Sequence, residues 1–310
     1  MDSKDNVWMG RIDSESKSLR FHQVMEEKSP FDLEKYKGFA FGLVGFACDE
    51  GVKRNHGRAG AAFAPNEVRK MLANLPYTLQ GADIIDTGNI VCENEDLEKA
   101  QEKLGDAVGE LLAKTYTPII IGGGHETFYG HYLGARKFIG KEAQLGIINI
   151  DAHFDLREEE RPSSGTMFRQ ILEADQQAGY LCLGIQPHGN TKSLFAAAKQ
   201  LNCSYVLEED ILKEQTFQLI DSFCRRHDYV VVTLCTDAIE AAAAPGVSAP
   251  SPFGLSPKVV RKLIRHVFAN KNVLSFDLSE VNPLVDEGNK TVRLAAYLLA
   301  EAMESFHQTM

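Results

Sequence analysis

Three side chains that can bind metal ions follow one apolar segment at alternate positions. Residues 145–150 are almost entirely apolar, and Asp151, His153 and Asp155 come directly after them. Because side chains two residues apart in an extended chain point to the same side, all three can project from one face. Two carboxylates and an imidazole in this arrangement can hold a divalent cation, which lowers the pKa of water enough to supply hydroxide near neutral pH. The segment therefore predicts a metal-dependent hydrolytic site.

Two other segments end in a similar way. Residues 122–124 are glycines that follow an apolar run, and His125 comes next. Glycines let the backbone approach closely and turn sharply from a strand into a helix. In the segment 231–237, Cys235 and Asp237 stand two residues apart at the end of another apolar run. Oxygen and imidazole ligands from three strands form a set suited to Mn²⁺, Fe²⁺, Co²⁺ or Zn²⁺.

Each motif alone has an ordinary explanation. A single Asp or His at a strand end is more often a helix cap or a solvated loop residue, and consecutive glycines can cradle a phosphate. The coincidence of the three motifs favours a metal site, because ligands of open α/β sheets bind at the carboxyl ends of the strands.

Short apolar segments alternate with segments of helical periodicity along the chain. The predicted strands are 39–46, 83–87, 118–121, 145–150, 180–185, 229–234 and 273–278, and the predicted helices are 65–75, 96–113, 194–201, 217–226, 257–269 and 290–306. This alternation is typical of a mostly parallel sheet in a three-layer α/β/α sandwich. We expect residues 1–37 to be an N-terminal extension and residues 38–310 to form one domain. The long irregular segment 241–254 is a candidate functional loop.

The composition of the chain excludes several classes of partner. The formal net charge is -10, so we expect neither nucleic acid nor an anionic membrane as a partner. The six cysteines show no CxxC spacing, which favours reduced thiols in a cytosol. The first 20 residues lack the apolar core of a signal peptide, and no later segment is apolar enough to span a bilayer. We therefore predict a cytoplasmic protein.

The three motifs resemble the signatures of a known superfamily. The segments 122–126 and 151–155, and the strand that ends at Asp237, are similar to those of the arginase, agmatinase and formimidoylglutamase superfamily, and the resemblance covers about residues 38–305. It implies the arginase-like fold, a centre of two divalent ions that is usually Mn²⁺, and a homo-oligomer. It also implies that His125 and Asp155 hold one ion, that His153 and Asp237 hold the other, and that Asp151 bridges them.

Cys235 departs from this pattern, because the third signature of the superfamily has an aspartate at that position. A thiolate can ligate and bridge metal ions, but it is softer than a carboxylate and favours Zn²⁺, Fe²⁺ or Co²⁺ relative to Mn²⁺. Three outcomes are open: a working centre with Cys235 as a ligand, a centre that holds one ion weakly, or a lost activity. We favour the first, although a buried Cys can also be a small hydrophobic residue.

Further segments resemble the formimidoylglutamase branch, namely 46–61, 151–157, 164–169, 184–186 and 244–250, and Phe168 stands where arginases have a histidine. The resemblance implies hydrolysis of N-formimidoyl-L-glutamate, an amidine with two carboxylates, to L-glutamate and formamide. It implies that Asp155 accepts and returns a proton and that Glu280 faces the cationic nitrogen of the substrate. The candidates for binding the substrate's carboxylates are Asn55, Arg58, Arg157, Ser164 and Arg169.

Three alternative functions are weighed against this one. A guanidino hydrolase of the agmatinase type would not need Arg157, because agmatine has no carboxylate. A non-catalytic member of the superfamily would be consistent with Cys235. A nucleotide-binding protein that uses the three glycines is a weaker alternative, since no Lys-Ser or Lys-Thr pair follows them.

Overall fold

One parallel sheet runs through the described part of the chain. The computed structural model describes residues 7–13, 19–79 and 81–309. Its strands are β1 (Glu26–Glu27), β2 (Ala40–Ala47), β3 (Asp83–Val91), β4 (Tyr116–Ile121), β5 (Leu145–Ile150), β6 (Ala178–Ile185), β7 (Ser204–Leu207), β8 (Tyr229–Cys235) and β9 (Val273–Ser279). Their order across the sheet is β1-β3-β2-β4-β9-β8-β5-β6-β7, and all neighbouring pairs are parallel.

Helices cover both faces of this sheet. They are α1 (Phe21–Val24), α2 (Glu50–Arg54), α3 (Ala64–Leu72), α4 (Leu97–Ala113), α5 (Thr127–Ile139), α6 (Met167–Ala174), α7 (Lys192–Gln200), α8 (Glu214–Arg226), α9 (Pro257–Phe268) and α10 (Lys290–His307). Buried side chains of α3, α8, α9 and α10 pack in one cluster against one face. Side chains of α4 to α7 pack in two clusters against the other face. The three-layer α/β/α prediction is therefore confirmed.

All seven predicted strands are present, and two further strands flank them at the edges of the sheet. The short strand β7 pairs with β6 at one edge. At the other edge, β1 pairs with β3 and lies inside the predicted N-terminal extension. The indole of Trp8 donates a hydrogen bond of 2.7 Å to Asp86 of β3, so this segment packs on the sheet. Residues 1–6 and 14–18 of the predicted extension lie outside the described residues, and the division at residue 37 stays a prediction.

Glycines allow α5, the helix that follows His125, to pack closely against α4. A side chain at Gly134 would come within 2.5 Å of the Cβ atom of Val108, and one at Gly105 would come within 2.9 Å of the Cβ atom of Leu133. Glycine lowers the intrinsic stability of a helix, so contact between the two helices must supply the stability that α5 lacks by itself.

Candidate metal centre

The predicted ligands gather at the carboxyl ends of four adjacent strands. His125 follows β4, Asp151 follows β5, Cys235 ends β8 and Glu280 follows β9. These strands lie in the spatial order β4-β9-β8-β5, so parallel pairing places all four ends at one edge of the sheet. The ligands come from distant parts of the sequence but are neighbours in space.

The glycines before His125 let the chain turn closely between two strands. A Cβ atom on Gly123 would lie 1.8 Å from the carbonyl oxygen of Cys48, so only glycine fits there. The amide of Gly122 donates to the carbonyl of Leu278 at 2.8 Å, and the amide of Glu280 donates to the carbonyl of Gly123 at 2.7 Å. The turn is therefore bonded to the strand that carries Glu280.

The imidazole of His125 lies against two carboxylates. Its Nδ1 atom is 2.9 Å from Oδ2 of Asp155 and 3.1 Å from Oδ2 of Asp151. On the other side of the ring, Nε2 is 3.0 Å from the hydroxyl oxygen of Thr233. The edge of the ring also packs on the buried Phe168, with 5.5 Å between ring centroids. The Nδ1 atom therefore points into the acidic cluster.

The imidazole of His153 lies between two other carboxylate oxygens. Its Nδ1 atom is 3.2 Å from Oδ2 of Asp237 and 3.5 Å from Oδ1 of Asp151. The backbone amide of His153 donates to the same Asp151 oxygen at 2.8 Å. Asp151 thus presents one oxygen to each imidazole, which is the geometry of a bridging ligand.

Two sets of metal-ligating atoms can be distinguished, and they share Asp151. In each set, the ligand atoms lie within 4.8 Å of one another. The first set is His125, Asp151 and Cys235, and the second is Asp151, His153 and Asp237. The sulfur of Cys235 is therefore close enough to Asp151 and His125 to share an ion with them.

Burial and mutual repulsion shift the protonation of these groups. Burial raises the pKa of Asp155 to about 6, and the negative charge of Asp151 adds to the effect. Burial raises the pKa of the Cys235 thiol well above its usual value, and Asp151 and Asp237 reinforce the shift. Burial opposes protonation of His125, but the hydrogen bonds that its ring donates to Asp151 and Asp155 outweigh this effect and raise the pKa of His125. The carboxylates around His125 therefore favour a positive charge at this position.

Divalent cations fit this cluster. Oδ1 of Asp237 is buried and has no hydrogen-bond partner among the described residues. An unpaired buried carboxylate oxygen is costly unless a cation or donor meets it. The donors are carboxylate oxygens, imidazole nitrogens and one thiol, and such mixed sets bind first-row divalent ions.

Both predicted catalytic residues are among the eight described residues other than glycine that have a positive φ angle. Asp155 and Glu280 have φ angles of 49° and 70°, in the left-handed region. Side chains other than glycine adopt this region at a cost of about 1–3 kcal/mol, and such residues cluster at functional sites. The surrounding hydrogen bonds must therefore hold both carboxylates in place.

Glu280 is a buried carboxylate that forms no ion pair with a Lys or Arg side chain of the described segments. It is 5% exposed, and its Oε1 atom accepts a hydrogen bond of 2.9 Å from the backbone amide of His125. No Lys or Arg of the described segments forms an ion pair with it. Burial raises the pKa of Glu280 to about 8, and the negative charges of Glu126 and Asp237 add to the shift.

A cavity of about 300 Å³ opens above the ligands. Among the predicted substrate-binding residues, Asn55, Arg157 and Ser164 line it, and so does Glu280. The amide of Asn55 donates to the hydroxyl of Ser164 at 3.3 Å. The guanidinium of Arg157 has no ion pair or hydrogen bond with any side chain in the described segments, so it is free to meet a ligand.

Two predicted substrate-binding residues lie outside this cavity. Arg58 donates through Nε to the carbonyl of Ser248 at 3.0 Å and through Nη2 to the carbonyl of Val247. Arg169 forms an ion pair of 2.7 Å with Glu158 and another of 2.8 Å with Glu173. The structure therefore does not bring either guanidinium together with the other candidates. Arg58 instead forms hydrogen bonds with the irregular loop 241–254. This loop contributes Ser248 and Ala249 to the cavity wall.

The sequence analysis missed several residues that contact the predicted ligands. Asn149 donates to Asp151 at 3.1 Å, and Thr233 bonds His125. Each is a polar residue two positions before a strand-end ligand within an otherwise apolar run. Side chains two residues apart share a face of the strand, so this spacing was a usable signal. His56, which also lines the cavity, had no comparable signal.

Comparison with known proteins identifies the family. The arginase family model matches residues 39–304. The chain belongs to the arginase family.

Among its relatives, the chain is similar to the formimidoylglutamase of Geobacillus sp. strain WCH70. The two are 54% identical over 97% of this chain and 95% of the relative. The solved structure of formimidoylglutamase from Bacillus subtilis subsp. subtilis str. 168 has a TM-score of 0.84 at 22% identity, and it covers 96% of this chain and 95% of its own. The structure of Trypanosoma cruzi formiminoglutamase with Mn²⁺₂ has a TM-score of 0.81 at 26% identity, over 90% of this chain and 96% of its own. The predicted resemblance is confirmed.

None of the helices in the described segments is long and apolar enough to cross a membrane.

Proposed function

We propose that this chain is a metal-dependent hydrolase that converts N-formimidoyl-L-glutamate and water into L-glutamate and formamide. The observation that carries the proposal is the convergence of His125, Asp151, His153, Cys235 and Asp237 on two sets of ligand atoms that share Asp151. The named relative at 54% identity supports the choice of substrate. Neither a guanidino hydrolase nor a non-catalytic family member is favoured by these relatives.

Two divalent ions are assigned to the centre. His125 and Asp155 would hold one ion, His153 and Asp237 the other, and Asp151 would bridge them, with Cys235 as the additional sulfur ligand. Mn²⁺ is the proposed metal, because a formiminoglutamase structure of the same fold contains Mn²⁺₂, while the thiol keeps Zn²⁺, Fe²⁺ and Co²⁺ as alternatives. Such ions supply a nucleophile at neutral pH and stabilise negative charge on the way to products.

The residues of the chain supply the proton transfer and the orientation of the amidine. Asp155 lies beside His125 at the floor of the cavity, where it can accept a proton from water and return it to the departing nitrogen of glutamate. Glu280 is assigned to the amidinium of the substrate, because its buried carboxylate lines the same cavity and pairs with no Lys or Arg in the part of the chain that the structure describes. A hydrogen bond between the two would be charge-assisted and directional.

The carboxylates of the glutamate part are assigned to Arg157, Asn55 and Ser164, which line the same cavity. The guanidinium of Arg157 has no side-chain partner among the described residues, and Arg can bind a carboxylate through two parallel hydrogen bonds. Asn55 and Ser164 add an amide and a hydroxyl. Agmatine carries no carboxylate, so a free arginine at this place favours formimidoylglutamate.

An assay of the purified protein tests the proposal. With Mn²⁺ supplied, we expect two ions per chain and release of glutamate from formimidoylglutamate, with much slower turnover of arginine and agmatine. His125→Ala and Asp151→Ala should abolish turnover, while Asp106→Ala, a change at an exposed surface acid, should leave it unchanged. Full turnover by Asp151→Ala would contradict the proposed mechanism.

Three further expectations belong with this function. We retain residues 38–310 as one catalytic domain. A location in the cytoplasm is supported by the six cysteines, which are all free thiols in the structure. Assembly as a homo-oligomer stays a prediction, and light scattering of the purified protein would test it.

A further inference from the structure

A row of buried polar side chains lies one layer beneath the metal ligands. Asn149 of β5 pairs in register with Thr233 of β8, which pairs in register with Asp277 of β9. All three are completely buried. Asn149 and Thr233 each stand two residues before a candidate ligand, and Asp277 stands two residues before the end of β9. The face they share is the one covered by α5, whose His131 is also completely buried. Polar groups in a sheet core require partners.

The partners of Asp277 account for both of its oxygens. Its Oδ1 atom accepts from the hydroxyl of Thr233 at 2.8 Å and from the hydroxyl of Ser279 at 3.1 Å. Its Oδ2 atom is 2.7 Å from Nδ1 of His131. Both oxygens of the carboxylate therefore have partners other than His125.

The position of the hydroxyl proton of Thr233 follows from this arrangement. A threonine hydroxyl has a single proton, and a carboxylate can only accept. Because Thr233 donates that proton to Asp277, it has only lone pairs left for Nε2 of His125, which is 3.0 Å away. Nε2 must then carry a hydrogen in order to donate. In a neutral imidazole, this leaves Nδ1 without a proton, and Nδ1 is the atom that points at Asp151 and Asp155.

We propose that Asp277, acting through Thr233, is a positioning residue that fixes both the tautomer and the ring orientation of His125 so that Nδ1 is available to a divalent ion. The inference rests on the proposed metal centre and adds residues that do not touch the ions. Residues that hold the far nitrogen of a metal-binding histidine commonly change metal affinity by about 10–100-fold when they are mutated.

Stability alone does not explain this network. A buried carboxylate and a buried imidazole can often be replaced by apolar residues of similar size at no loss of stability, and the neighbouring positions of the same strands are apolar. The network also joins β8, β9 and α5, the elements that carry Cys235, Glu280 and His125 into the centre. We therefore assign the network to the positioning of these residues rather than to the packing of the core.

Mn²⁺ titration of the metal-depleted protein separates positioning from packing. Free Mn²⁺ can be counted by electron paramagnetic resonance, which resolves two binding steps. Thr233→Val keeps the volume and removes the hydroxyl, so we expect one of the two ions to bind about 10–100-fold more weakly. Thr233→Ser keeps the hydroxyl and should stay within about threefold of the original chain. Thr216→Val, which removes another buried hydroxyl outside the cavity, is the matched control and should bind Mn²⁺ normally.

A second measurement tests the direction of the hydrogen bonds in the metal-depleted protein, where no ion decides the tautomer. With ¹⁵N-labelled histidine and at a pH where His125 is neutral, nuclear magnetic resonance should find the hydrogen of His125 on Nε2. Asp277→Asn can present an N–H group to Thr233, which frees the hydroxyl to donate to His125, so the hydrogen should move to Nδ1 and the Mn²⁺ affinity should fall.

The outcomes are distinguishable. Equal Mn²⁺ affinity in Thr233→Val and the original chain, or a hydrogen on Nδ1 of neutral His125 in the metal-depleted protein, would overturn this inference while leaving the hydrolase proposal intact. A chain that binds no Mn²⁺ at all would overturn both. Equal losses in Thr233→Val and Thr233→Ser would assign the network to packing and would also overturn the inference.

Discussion

Replacing Glu280 by glutamine tests the pairing of a buried carboxylate with the amidinium of the substrate. Glutamine has nearly the same shape as glutamate. Its amide oxygen can still accept the hydrogen bond that the backbone amide of His125 donates to Oε1 of Glu280 at 2.9 Å. The substitution therefore removes the ability of the side chain to carry a negative charge beside the amidinium, and it changes little else. Because the side chain is 5% exposed, water cannot replace the lost charge.

The burial of Glu280 sets the expected magnitude. Exposed ion pairs contribute about 0–1 kcal/mol, whereas removing one partner of a buried charged pair costs about 3–5 kcal/mol. Glutamine still offers a neutral hydrogen-bond acceptor, so we expect the lower part of that range, about 3–4 kcal/mol. At about 1.4 kcal/mol for each factor of ten, kcat/KM for formimidoylglutamate should fall by roughly 10²–10³-fold.

The assay is glutamate release, coupled to glutamate dehydrogenase, at fixed saturating Mn²⁺. The Mn²⁺ content and the Tm of the variant are measured in parallel, so that a loss of metal or of folded protein is recognised. Glu287→Gln changes an exposed glutamate that pairs with Lys290, and it serves as the matched control with unchanged kcat/KM. A loss below about threefold in Glu280→Gln with full Mn²⁺ content would refute the pairing, because a buried pair should contribute far more.

Three other substitutions test Cys235 as a metal ligand, Arg157 as a binding residue for the substrate's carboxylates, and the buried ion pair between Asp86 and Arg69. Cys235→Asp supplies the harder ligand that Mn²⁺ prefers, so Mn²⁺ affinity should rise and kcat should be kept or raised; inactivity of a Mn²⁺-loaded variant would count against Cys235 as a ligand. Arg157→Met should raise KM about 10–100-fold with a smaller change in kcat, as expected for a lost charge-assisted hydrogen bond of about 1.5–3 kcal/mol; an unchanged KM would remove Arg157 from the site. Asp86→Ala leaves the buried guanidinium of Arg69, whose Nη2 atom is 2.7 Å from Asp86, without its carboxylate partner, and it should lower the free energy of unfolding by about 3–5 kcal/mol. Urea denaturation measures it, and a change below about 1 kcal/mol would mean that the pair contributes as little as a surface pair.

The central strands of the fold could be predicted because both faces of the sheet are covered. Buried parallel strands have nearly continuous apolar sequences, and β5 and β8 have this character. The four-residue β7 is too short for such a pattern, and its Tyr205 is exposed. The helix α5 escaped prediction because Gly130 and Gly134 lower its intrinsic helix propensity, and only its contact with α4 shows why they are there.

The convergence of the candidate metal ligands could be predicted because strand geometry alone brings these residues to one edge of the sheet. Alternation along a strand selects the side, and parallel pairing selects the end, so Asp151 and Cys235 follow from local sequence. The direction of a long surface side chain depends instead on its partners in the folded chain. Arg58 and Arg157 look equivalent in sequence, yet backbone carbonyls of the loop 241–254 hold Arg58 away from the cavity.

The order of the strands has a consequence for how the protein comes into being. The last two strands to be synthesised, β8 and β9, lie in the middle of the sheet, between β4 and β5. Until both have inserted, the half that ends in His125 and the half that ends in Asp151 share no hydrogen-bonded edge. Such distant pairings form late, because long loops must close first. A chain that stops before β8 lacks Cys235, Asp237 and Glu280, so the complete centre can form only after nearly the whole sheet has been synthesised.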